Sequence, residues 1–419
     1  MKVTRTEQIY IKKDETISYM CHLSKNLYNQ VNYILLNQFL RHEKLSGYTV
    51  LSKQFSIPSD NEEYNNYQKL PAQTAQWTIK ISIQSWNPFF KALKTLKKHP
   101  DKFIKMLRSP HYKNKNGEFM LIFTNQQCKI DKGILKFPKI MGSEIKTGLE
   151  NVNLREVRII PQIVGYVIEI VYTKETAGIK QFALKPQRVM EIDIGVRNLV
   201  TIGNNFSEKG IVIKAGSLKS TNQFFNKELS RLRGINDLQG NEKKSTKHIR
   251  KLFVNRNHKI KNFMHKISRP IINYAMKSKV DTIVIGHNDG WKQNVNIGKT
   301  NNQKFVQIPF NKLIQQIQYK AEEQGIEVKI ANESHTSKCS FLDNESIEHH
   351  DNYIGKRISR GIFRSADGTL INADLNGAYN IIKKAIPDAF ANGIEGIGLY
   401  PRSLNIFELG RMITSKGGC

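Results

Sequence analysis

The order of strand-like and helix-like segments after residue 186 restricts the fold of this chain more than any other feature. Three short β-rich segments come first, with polar turns between them (189–194, 199–202 and 210–215). Helical and strand-like patterns then follow (helices 221–233 and 242–277, strand 281–286, helix 309–324, strand 326–331 and helix 374–386). Three meandering strands, a helical stretch, a strand–helix–strand series and a closing helix predict an RNase H-like α/β domain.

The first 185 residues predict a second region of mixed α and β structure. Weak alternation indicates a strand at 1–12, and apolar residues spaced three and four apart predict a helix over 14–41. Residues 44–69 are polar, and we expect a loop there. A second helix should follow, kinked or restarted by Pro88. Residues 113–178 hold short β-rich runs, so this region is predicted to be a small β-barrel or sheet that carries a helical insert.

Two aspartates are candidate ligands of a catalytic metal. Asp193 shares a strand face with Glu191, opposite Ile192 and Ile194, and a carboxylate buried there costs on the order of several kcal/mol unless it meets a cation. Asp374 opens the last helix, among small residues that leave room for a substrate or a second backbone. The simpler explanations are a turn cap and a helix N-terminal residue. Two-metal phosphodiester cleavage needs converging carboxylates, so a third acid is expected.

The formal net charge of +29 favours a nucleic-acid partner. An excess of Lys and Arg repels itself, and a polyanion relieves the repulsion by releasing counterions. The simpler explanation is solvated lysine from an AT-rich coding sequence, which leaves the scarcity of Asp and Glu unexplained. No apolar run is long enough to predict a membrane span, and we expect no secretory signal. The four Cys form no CxxC pair, which is typical of a reducing, intracellular protein.

Five segments carry a resemblance to a known family: Leu70–Gln73, Glu191–Leu199, Ile283–Gln293, Glu333–Lys338 and Asn372–Gly377. Together they resemble TnpB, the RNA-guided nuclease of bacterial and archaeal insertion sequences, a relative of Fanzor proteins and type V CRISPR effectors. The resemblance implies a multidomain α+β chain with a wedge β-barrel, a helical recognition insert, a split RuvC nuclease domain and a target-nucleic-acid-binding insertion. The implied boundaries are wedge 1–12 and 113–185, recognition 13–112, RuvC 186–333 and 371–392, insertion 334–370, and tail 393–419.

The middle acid of the RuvC site is missing at its usual position. The second RuvC strand of the family ends with Glu, and here that position is Gly286. Three carboxylates could replace it: Asp289 in the following turn, Glu191 on the face of Asp193, and Glu333 at the end of the next strand. We favour Glu333, because that strand should lie beside 281–286 and point to the same edge. The alternatives are a surface Glu and a protein without catalysis.

The insertion also departs from the family pattern, which often has four Cys holding zinc. Only Cys339 remains near such a position, and Asp343 and Arg364–Gly368 stand where Cys pairs would be expected. His349 and His350 are adjacent, so their side chains point apart on an extended chain. Four tetrahedral ligands cannot be assembled from these residues, and we expect no structural zinc.

Polar and basic side chains in the recognition and wedge regions and on the helix at 242–277 are candidate nucleic-acid contacts. Gln can pair bidentately with adenine, and Lys can hold phosphate or guanine. In the resembling family the first region helps to read a short motif beside the target, and the basic helix fits contact with the backbone of a guide–target heteroduplex. A solvated helix face is the simpler explanation. The candidates are Gln73, Gln76, Lys80, Thr124, Asn125, Arg250, Arg256 and Lys259.

The residues and the resemblance together predict an RNA-guided DNA endonuclease of an insertion sequence. A noncoding guide RNA would pair with the DNA target, and Asp193, Glu333 and Asp374 would hold two Mg²⁺ at the RuvC site, which cuts both strands of the DNA in turn. We expect a monomer with one RNA and no membrane contact, in the cytoplasm of a bacterium or archaeon and at the nucleoid when on target. The alternatives are a nuclease-dead RNA-guided repressor and an unguided RNase H-like transposase.

Overall fold

The structure is a computed structural model, and it divides the chain into two compact units, Lys2–Glu175 and Thr176–Cys419. It describes residues 2–175, 188–206, 208–240, 245–287, 298, 302–303, 306–391, 393–394, 396–405 and 408–410. No helix within these ranges combines the length and the apolar character that a bilayer crossing requires. The domain boundaries implied by the family resemblance stay predictions.

Four α-helices lie in the first unit. The helices α1 to α4 are Glu15–Leu40, Tyr48–Ser56, Ala72–Gln84 and Trp86–Lys98. The helix predicted over 14–41 is confirmed by α1. The side chain of Asp14 caps this helix by accepting a hydrogen bond from the backbone N–H of Ile17. The loop predicted over 44–69 is wrong where α2 lies, because Leu51 is the only buried residue of α2 and gives no visible periodicity.

The second predicted helix restarts two residues before Pro88. The backbone leaves the first helix at Ser85, and α4 then begins at Trp86. Pro88 therefore lies in the first turn of α4, where a missing N–H costs no intrahelical hydrogen bond. The proline marks the restart but does not cause a kink within a continuous helix.

Seven strands of the first unit form two antiparallel sheets. The strands β1 to β7 are Lys2–Ile11, Leu121–Thr124, Lys129–Asp131, Ile134–Lys136, Glu144–Lys146, Asn153–Gln162 and Gly165–Glu175. One sheet has the order β1-β7-β6-β2, and the other has the order β3-β4-β5. β1 pairs with β7 along its whole length, so a strand that precedes the helices completes a sheet whose other strands follow them in the chain. One core joins α1 and α3 to both sheets, with Leu27, Ile79, Phe123 and Leu135 among its buried residues.

The second unit contains nine strands and four α-helices within the described ranges. The strands β8 to β16 are Val189–Asp193, Asn198–Asn204, Ile211–Lys214, Thr282–Gly286, Glu327–Ala331, Lys356–Ser359, Ile362–Arg364, Leu370–Asn372 and Arg402–Leu404. The helices α5 to α8 are Gly216–Leu238, Lys247–Lys277, Phe310–Glu323 and Ala373–Ala385. The long basic helix begins at Lys247, where the Thr246 side chain caps it, and its predicted start at 242 lies outside the described residues. It continues through Pro270 to Lys277.

The main sheet confirms the RNase H-like prediction. Its strand order is β12-β11-β8-β9-β10-β16. The meander β8-β9-β10 is antiparallel, whereas β11 and β12 run parallel to β8. Met190 and Ile192 point into a core with α6 and α7, and Val189 points into a separate core with α8. The central strand is therefore covered on both faces, and its carboxyl end is where functional groups can gather.

Candidate functional site

Asp193 is the last residue of β8, at the centre of the main sheet. Because side chains alternate along a strand, Glu191 and Asp193 share the face that α8 covers, opposite Met190 and Ile192. Asp193 is half-buried, and Glu191 is completely buried. Within the described part of the chain, neither carboxylate oxygen of Glu191 has a hydrogen-bond partner.

Asp374 is the second residue of α8 and approaches the same sheet edge. Asn372 caps the helix by accepting hydrogen bonds from the backbone N–H groups of Asp374 and Leu375. Asn198 donates its amide N–H to Oδ2 of Asp374 at 2.7 Å. The Arg357 guanidinium lies 3.7 Å from Oδ1. The carboxylate of Asp374 is therefore oriented from two sides.

Small residues let α8 approach the sheet closely. A Cβ on Gly203 of β9 would lie 2.9 Å from the Cβ of Ala378. Asn376 is buried, donates to the Cys339 carbonyl at 2.8 Å and accepts from the Phe341 N–H at 3.0 Å. The small-residue pattern at the start of α8 thus accommodates a second backbone, one of the two explanations expected from sequence.

Glu333 lies two residues beyond β12 rather than at its end, and its side chain fills the space above Gly286. Gly286 pairs with Ala331 at the ends of the parallel strands β11 and β12. A Cβ on Gly286 would lie 2.6 Å from Oε1 and 2.9 Å from Cγ of Glu333. Because Gly286 has no side chain, the Glu333 carboxylate can occupy the space beside it.

The acids are electrostatically coupled. Burial, and then the charges of Glu333 and Asp374, raise the pKa of Asp193 to about 7, while Arg357 acts in the opposite direction. Burial, followed by repulsion from Asp193 and Glu333, raises the pKa of Glu191 well above its ordinary value. Burial also raises the pKa of Glu333. A nearby cation would relieve this repulsion.

The acidic cluster fits a divalent cation in its chemistry. Carboxylate oxygens are the ligands that Mg²⁺ prefers, and the two buried oxygens of Glu191 show that this sheet edge places carboxylates where neither water nor a donor reaches them. As the side chains stand, no three His, Cys, Asp or Glu groups of the described residues are gathered closely enough to hold a metal ion. The oxygens of Asp374 contact Asn198 and Arg357 instead.

In the insertion, carboxylates join the loops where Cys would be expected. Glu345 is buried, and its oxygens accept hydrogen bonds from the backbone N–H of Ser340 at 2.6 Å and of Ile354 at 2.9 Å. Asp343 accepts a hydrogen bond from the Ala366 N–H at 2.9 Å. Cys339 is buried, and burial raises the pKa of its thiol. These hydrogen bonds cross-link the segments around Ser340, Ile354 and Ala366.

Two sets of candidate nucleic-acid contacts meet at one surface of the first unit. Gln73, in the first turn of α3, accepts a hydrogen bond from the Thr124 hydroxyl and donates one to Gln126. The ammonium of Lys80 lies 4.7 Å from the ring centroid of Tyr48 and also over the ring of Trp77. Gln76 is half-buried on the same helix, and Asn125 is exposed beside Thr124.

The candidates on α6 differ in their surroundings. Arg250 and Lys259 are exposed, and Lys259 lies 5.9 Å from the ring centroid of Phe224. Arg256 is half-buried, and its guanidinium donates to Asn222 at 2.9 Å and to the Gln307 carbonyl at 3.0 Å. The alternative acid Asp289 and the basic residues Lys243 and Lys244 lie outside the described residues.

Asn198 and Arg357 contact the acidic cluster but were not among the sequence candidates. Asn198 lies inside a segment that carried the family resemblance, so its polar side chain at the start of a strand was an available signal. Arg357 lies on β13, in the insertion, and only the pairing of β13 with β14 and β15 brings it to the start of α8. No spacing in the sequence indicates that contact.

Comparisons with known proteins identify relatives over most of the chain. The OrfB_IS605 family, described as a probable transposase, matches residues 170–292, and the TNB domain of Cas12f1-like proteins matches residues 310–381. The TnpB-like protein ORF457 of Acidianus two-tailed virus is 25% identical over 412 residues, covering 89% of this chain and 84% of that protein. The CRISPR-associated endodeoxyribonuclease Cas12f2 of a Micrarchaeota archaeon (strain CG1_02_47_40) is 35% identical over 133 residues, covering 29% of this chain and 23% of that protein.

Among solved structures, a cryo-EM structure of a Cas12f1–sgRNA–target DNA complex is similar to this chain. The identity is 15% and the TM-score is 0.47, over 88% of this chain and 82% of that chain.

Proposed function

We propose that this chain is a member of the TnpB family and acts as an RNA-guided DNA endonuclease of an insertion sequence, as its similarity to TnpB-like and Cas12f proteins supports. A noncoding RNA would select the DNA target by base pairing, and the protein would read a short motif beside it. The protein would act as a monomer with one RNA, in the cytoplasm of a bacterial or archaeal cell and at the nucleoid when bound to its target.

The convergence of three acids from three separate elements carries this proposal. Asp193 ends a strand, Glu333 follows another strand and Asp374 opens a helix, yet the charges of the last two both raise the pKa of Asp193. Like charges collected at one sheet edge lower the stability of a fold, so a cluster of this kind is typical of a functional site.

We propose that Asp193, Glu333 and Asp374 hold two Mg²⁺ ions. When bound, such ions polarise a scissile phosphate and lower the pKa of the attacking water. Asn198 would keep the Asp374 carboxylate turned toward the site through its amide hydrogen bond. Arg357 would remain at the rim and attract a DNA phosphate once its carboxylate partner is neutralised. Departure of the 3′ oxygen would leave 5′ phosphates.

The volume above Gly286 supports Glu333 as the third acid. The carboxylate of Glu333 lies where a side chain on Gly286 would begin, so a residue after β12 would supply the group that the family usually places at the end of β11. Glu191 is a weaker candidate, because it is completely buried, whereas an ion that acts on DNA must also contact a phosphate from outside. Asp289 remains the alternative that the experiment below tests directly.

The surface formed by Gln73, Thr124 and Gln126 supports a reader of the flanking motif. The hydrogen bonds among these side chains tie a recognition helix to a wedge strand. Amide groups held in fixed orientations can pair bidentately with base edges in the major groove. Lys80, stacked over Tyr48, would add a cation beside them.

The test is cleavage of a plasmid library with a randomised flank by the purified protein–RNA complex in Mg²⁺. Wild type is compared with Asp193→Ala, Glu333→Ala and Asp289→Ala, and Glu327→Ala, at the start of the strand that precedes Glu333, is the matched control. We expect cleavage to be lost with Asp193→Ala and Glu333→Ala only. Loss with Asp289→Ala and retention with Glu333→Ala would contradict the assignment.

Two further outcomes would replace the proposed function. Sequence-specific binding by the wild type without any cleavage would establish the nuclease-dead repressor. Strand transfer by a protein that purifies without a bound structured RNA would establish the unguided transposase.

A further inference from the structure

A groove between α5 and α6 combines an exposed aromatic ring with positive charge. It encloses about 620 Å³ and is lined by residues that include Thr221, Phe224 and Phe225 from α5, and Leu252, Arg256 and Lys259 from α6. That volume lies within the range of small-molecule sites, roughly 300–1,000 Å³. No residue of the proposed metal site lines the groove.

The floor of this groove is rigid. Phe225 is buried and packs edge-on against Phe253, with ring centroids 4.9 Å apart. The guanidinium of Arg256 lies 4.9 Å from the Phe225 ring centroid, and its hydrogen bonds reach Asn222 on α5 and the Gln307 carbonyl. Arg256 thus connects α6 to α5 and also lines the groove.

Phe224 points the other way. Its side chain is 62% exposed, although its neighbour Phe225 is buried, and the ammonium of Lys259 lies 5.9 Å from its ring centroid. A ring this exposed buries little apolar surface in the free protein, whereas a flat partner could stack on it. The ammonium of Lys259 would then be close enough to contact a negatively charged group attached to that flat partner.

The charge of the groove selects the kind of partner. The lining contains Arg256, His258 and Lys259 and no Asp or Glu. The sequence of α6 from Lys247 to Lys277 contains no acidic residue at all. An aromatic platform beside unopposed positive charge matches a nucleobase followed by its phosphate, and single-stranded nucleic acids bind proteins in this way.

We propose that the α5–α6 groove binds one unpaired nucleotide of the bound nucleic acid, with its base stacked on Phe224 and its phosphate against Lys259. The proposal rests on the proposed function only in that the partner is a nucleic acid. Guide RNA and target DNA share this chemistry, and the experiment distinguishes them. The contact is independent of base identity, because every base presents a flat face.

The test measures binding of the full-length protein to a short oligouridine RNA and to the matching deoxyuridine DNA, each with and without one abasic position. We expect Phe224→Ala to lower affinity about 5- to 100-fold and Phe224→Trp to keep it, with quenching of the new tryptophan. Phe224→Ala should leave the salt dependence unchanged. Lys259→Gln should reduce the salt slope by about 0.7, as expected for one lost phosphate contact.

Controls separate the groove from the general positive surface. Tyr33→Ala removes another exposed aromatic ring, 60% exposed on α1, and should leave affinity unchanged. An iodouridine oligonucleotide should crosslink to the peptide that contains Phe224. A larger effect on the RNA assigns the nucleotide to the guide, a larger effect on the DNA assigns it to the target, and an equal effect on both confirms the groove as a site for either strand.

Equal affinity of Phe224→Ala and wild type for both oligonucleotides, with no crosslink at Phe224, would overturn the proposal whether or not plasmid is cut. Binding through Phe224 by a wild type that never cuts would leave the groove established and remove the proposed nuclease alone.

Discussion

The contact between Gly286 and Glu333 gives the sharpest prediction, because one added methyl group should displace a proposed catalytic carboxylate. A Cβ on residue 286 would lie 2.6 Å from Oε1 of Glu333, whereas ordinary contact begins at 3.4 Å. The carboxylate would have to retreat by the difference, about 0.8 Å. Residue 286 has little room to move instead of the carboxylate, because its Cβ would also lie 2.9 Å from Cδ1 of Ile381 on α8.

We therefore expect Gly286→Ala to slow cleavage about 100-fold, since a misplacement of roughly 1 Å at a reacting centre costs that much. Overpacking should lower the free energy of unfolding by about 1–3 kcal/mol. Binding of guide RNA and target DNA should be unchanged, because Gly286 is completely buried. Single-turnover cleavage, denaturant unfolding and DNA binding measure the three effects on one preparation.

A double-mutant cycle tests the cause. In a Glu333→Ala background the clash with the carboxylate is gone, so Gly286→Ala should cost less stability than it does in the wild type. The exchange Gly286→Glu with Glu333→Ala returns a carboxylate to the same volume from the neighbouring strand. It should cut at least about tenfold faster than Glu333→Ala alone, which should lose about 100- to 1,000-fold.

Two results would refute this reasoning. If Gly286→Ala cuts as fast as the wild type, the Glu333 carboxylate is not needed where it lies. If the exchange variant folds and binds DNA but cuts no faster than Glu333→Ala, the volume above residue 286 is not the position of the third acid.

Three other predictions follow from the contacts of the acids. Asn198→Ala should raise the Mg²⁺ concentration needed for half-maximal cleavage about 10- to 100-fold, as expected when a metal ligand loses its orienting partner. Asn198→Gln should recover part of the lost Mg²⁺ affinity. An unchanged Mg²⁺ titration would contradict this role. The pKa of Asp193 is raised from 3.8 to about 7, so its neutral form stabilises the metal-free fold below pH 4, and this stability is lost as the pH rises toward 7. Denaturant unfolding in EDTA should show this decline in the free energy of unfolding, and the decline should be smaller in Asp193→Asn. Glu345→Ala should destabilise the insertion by about 1–3 kcal/mol, because it leaves the Ser340 N–H buried without its acceptor. A zinc chelator should leave proteolysis of the insertion unchanged. Faster proteolysis of the insertion after chelation alone would show that a metal holds it.

The arrangement of the main sheet could be predicted because its strands have unambiguous local signals. The residues of β11 are all buried and mostly β-branched, and β8 alternates between a core face and a carboxylate face. The helix Tyr48–Ser56 could not be predicted, because it buries only Leu51 and is otherwise indistinguishable from a polar loop. Local patterns thus identify elements that contribute much to a core, and miss those that contribute little.

The candidate site was predictable only in part, for a related reason. Asp193 and Asp374 stand out because a strand and a helix start place carboxylates where they need a cation. The contact between Asn198 and Asp374 joins residues 176 positions apart and has no periodic signal. Arg357 depends on the register of a hairpin within an insertion, which the sequence does not specify. Partners of this kind become visible only when the chain is folded.

The relocation that we propose for the third acid is compatible with the geometry of parallel strands. β11 and β12 end at the same edge, with Gly286 opposite Ala331, so a side chain just beyond either strand can reach the same point. A carboxylate that moves from one strand to the next must be matched by the loss of the side chain it replaces, since both cannot occupy one volume. Gly286 and Glu333 are therefore better understood as one paired change than as a lost acid and an unrelated glutamate. By this argument, a search for the acid at a single aligned position would classify such a chain as inactive, whereas the pair predicts an intact set of carboxylates.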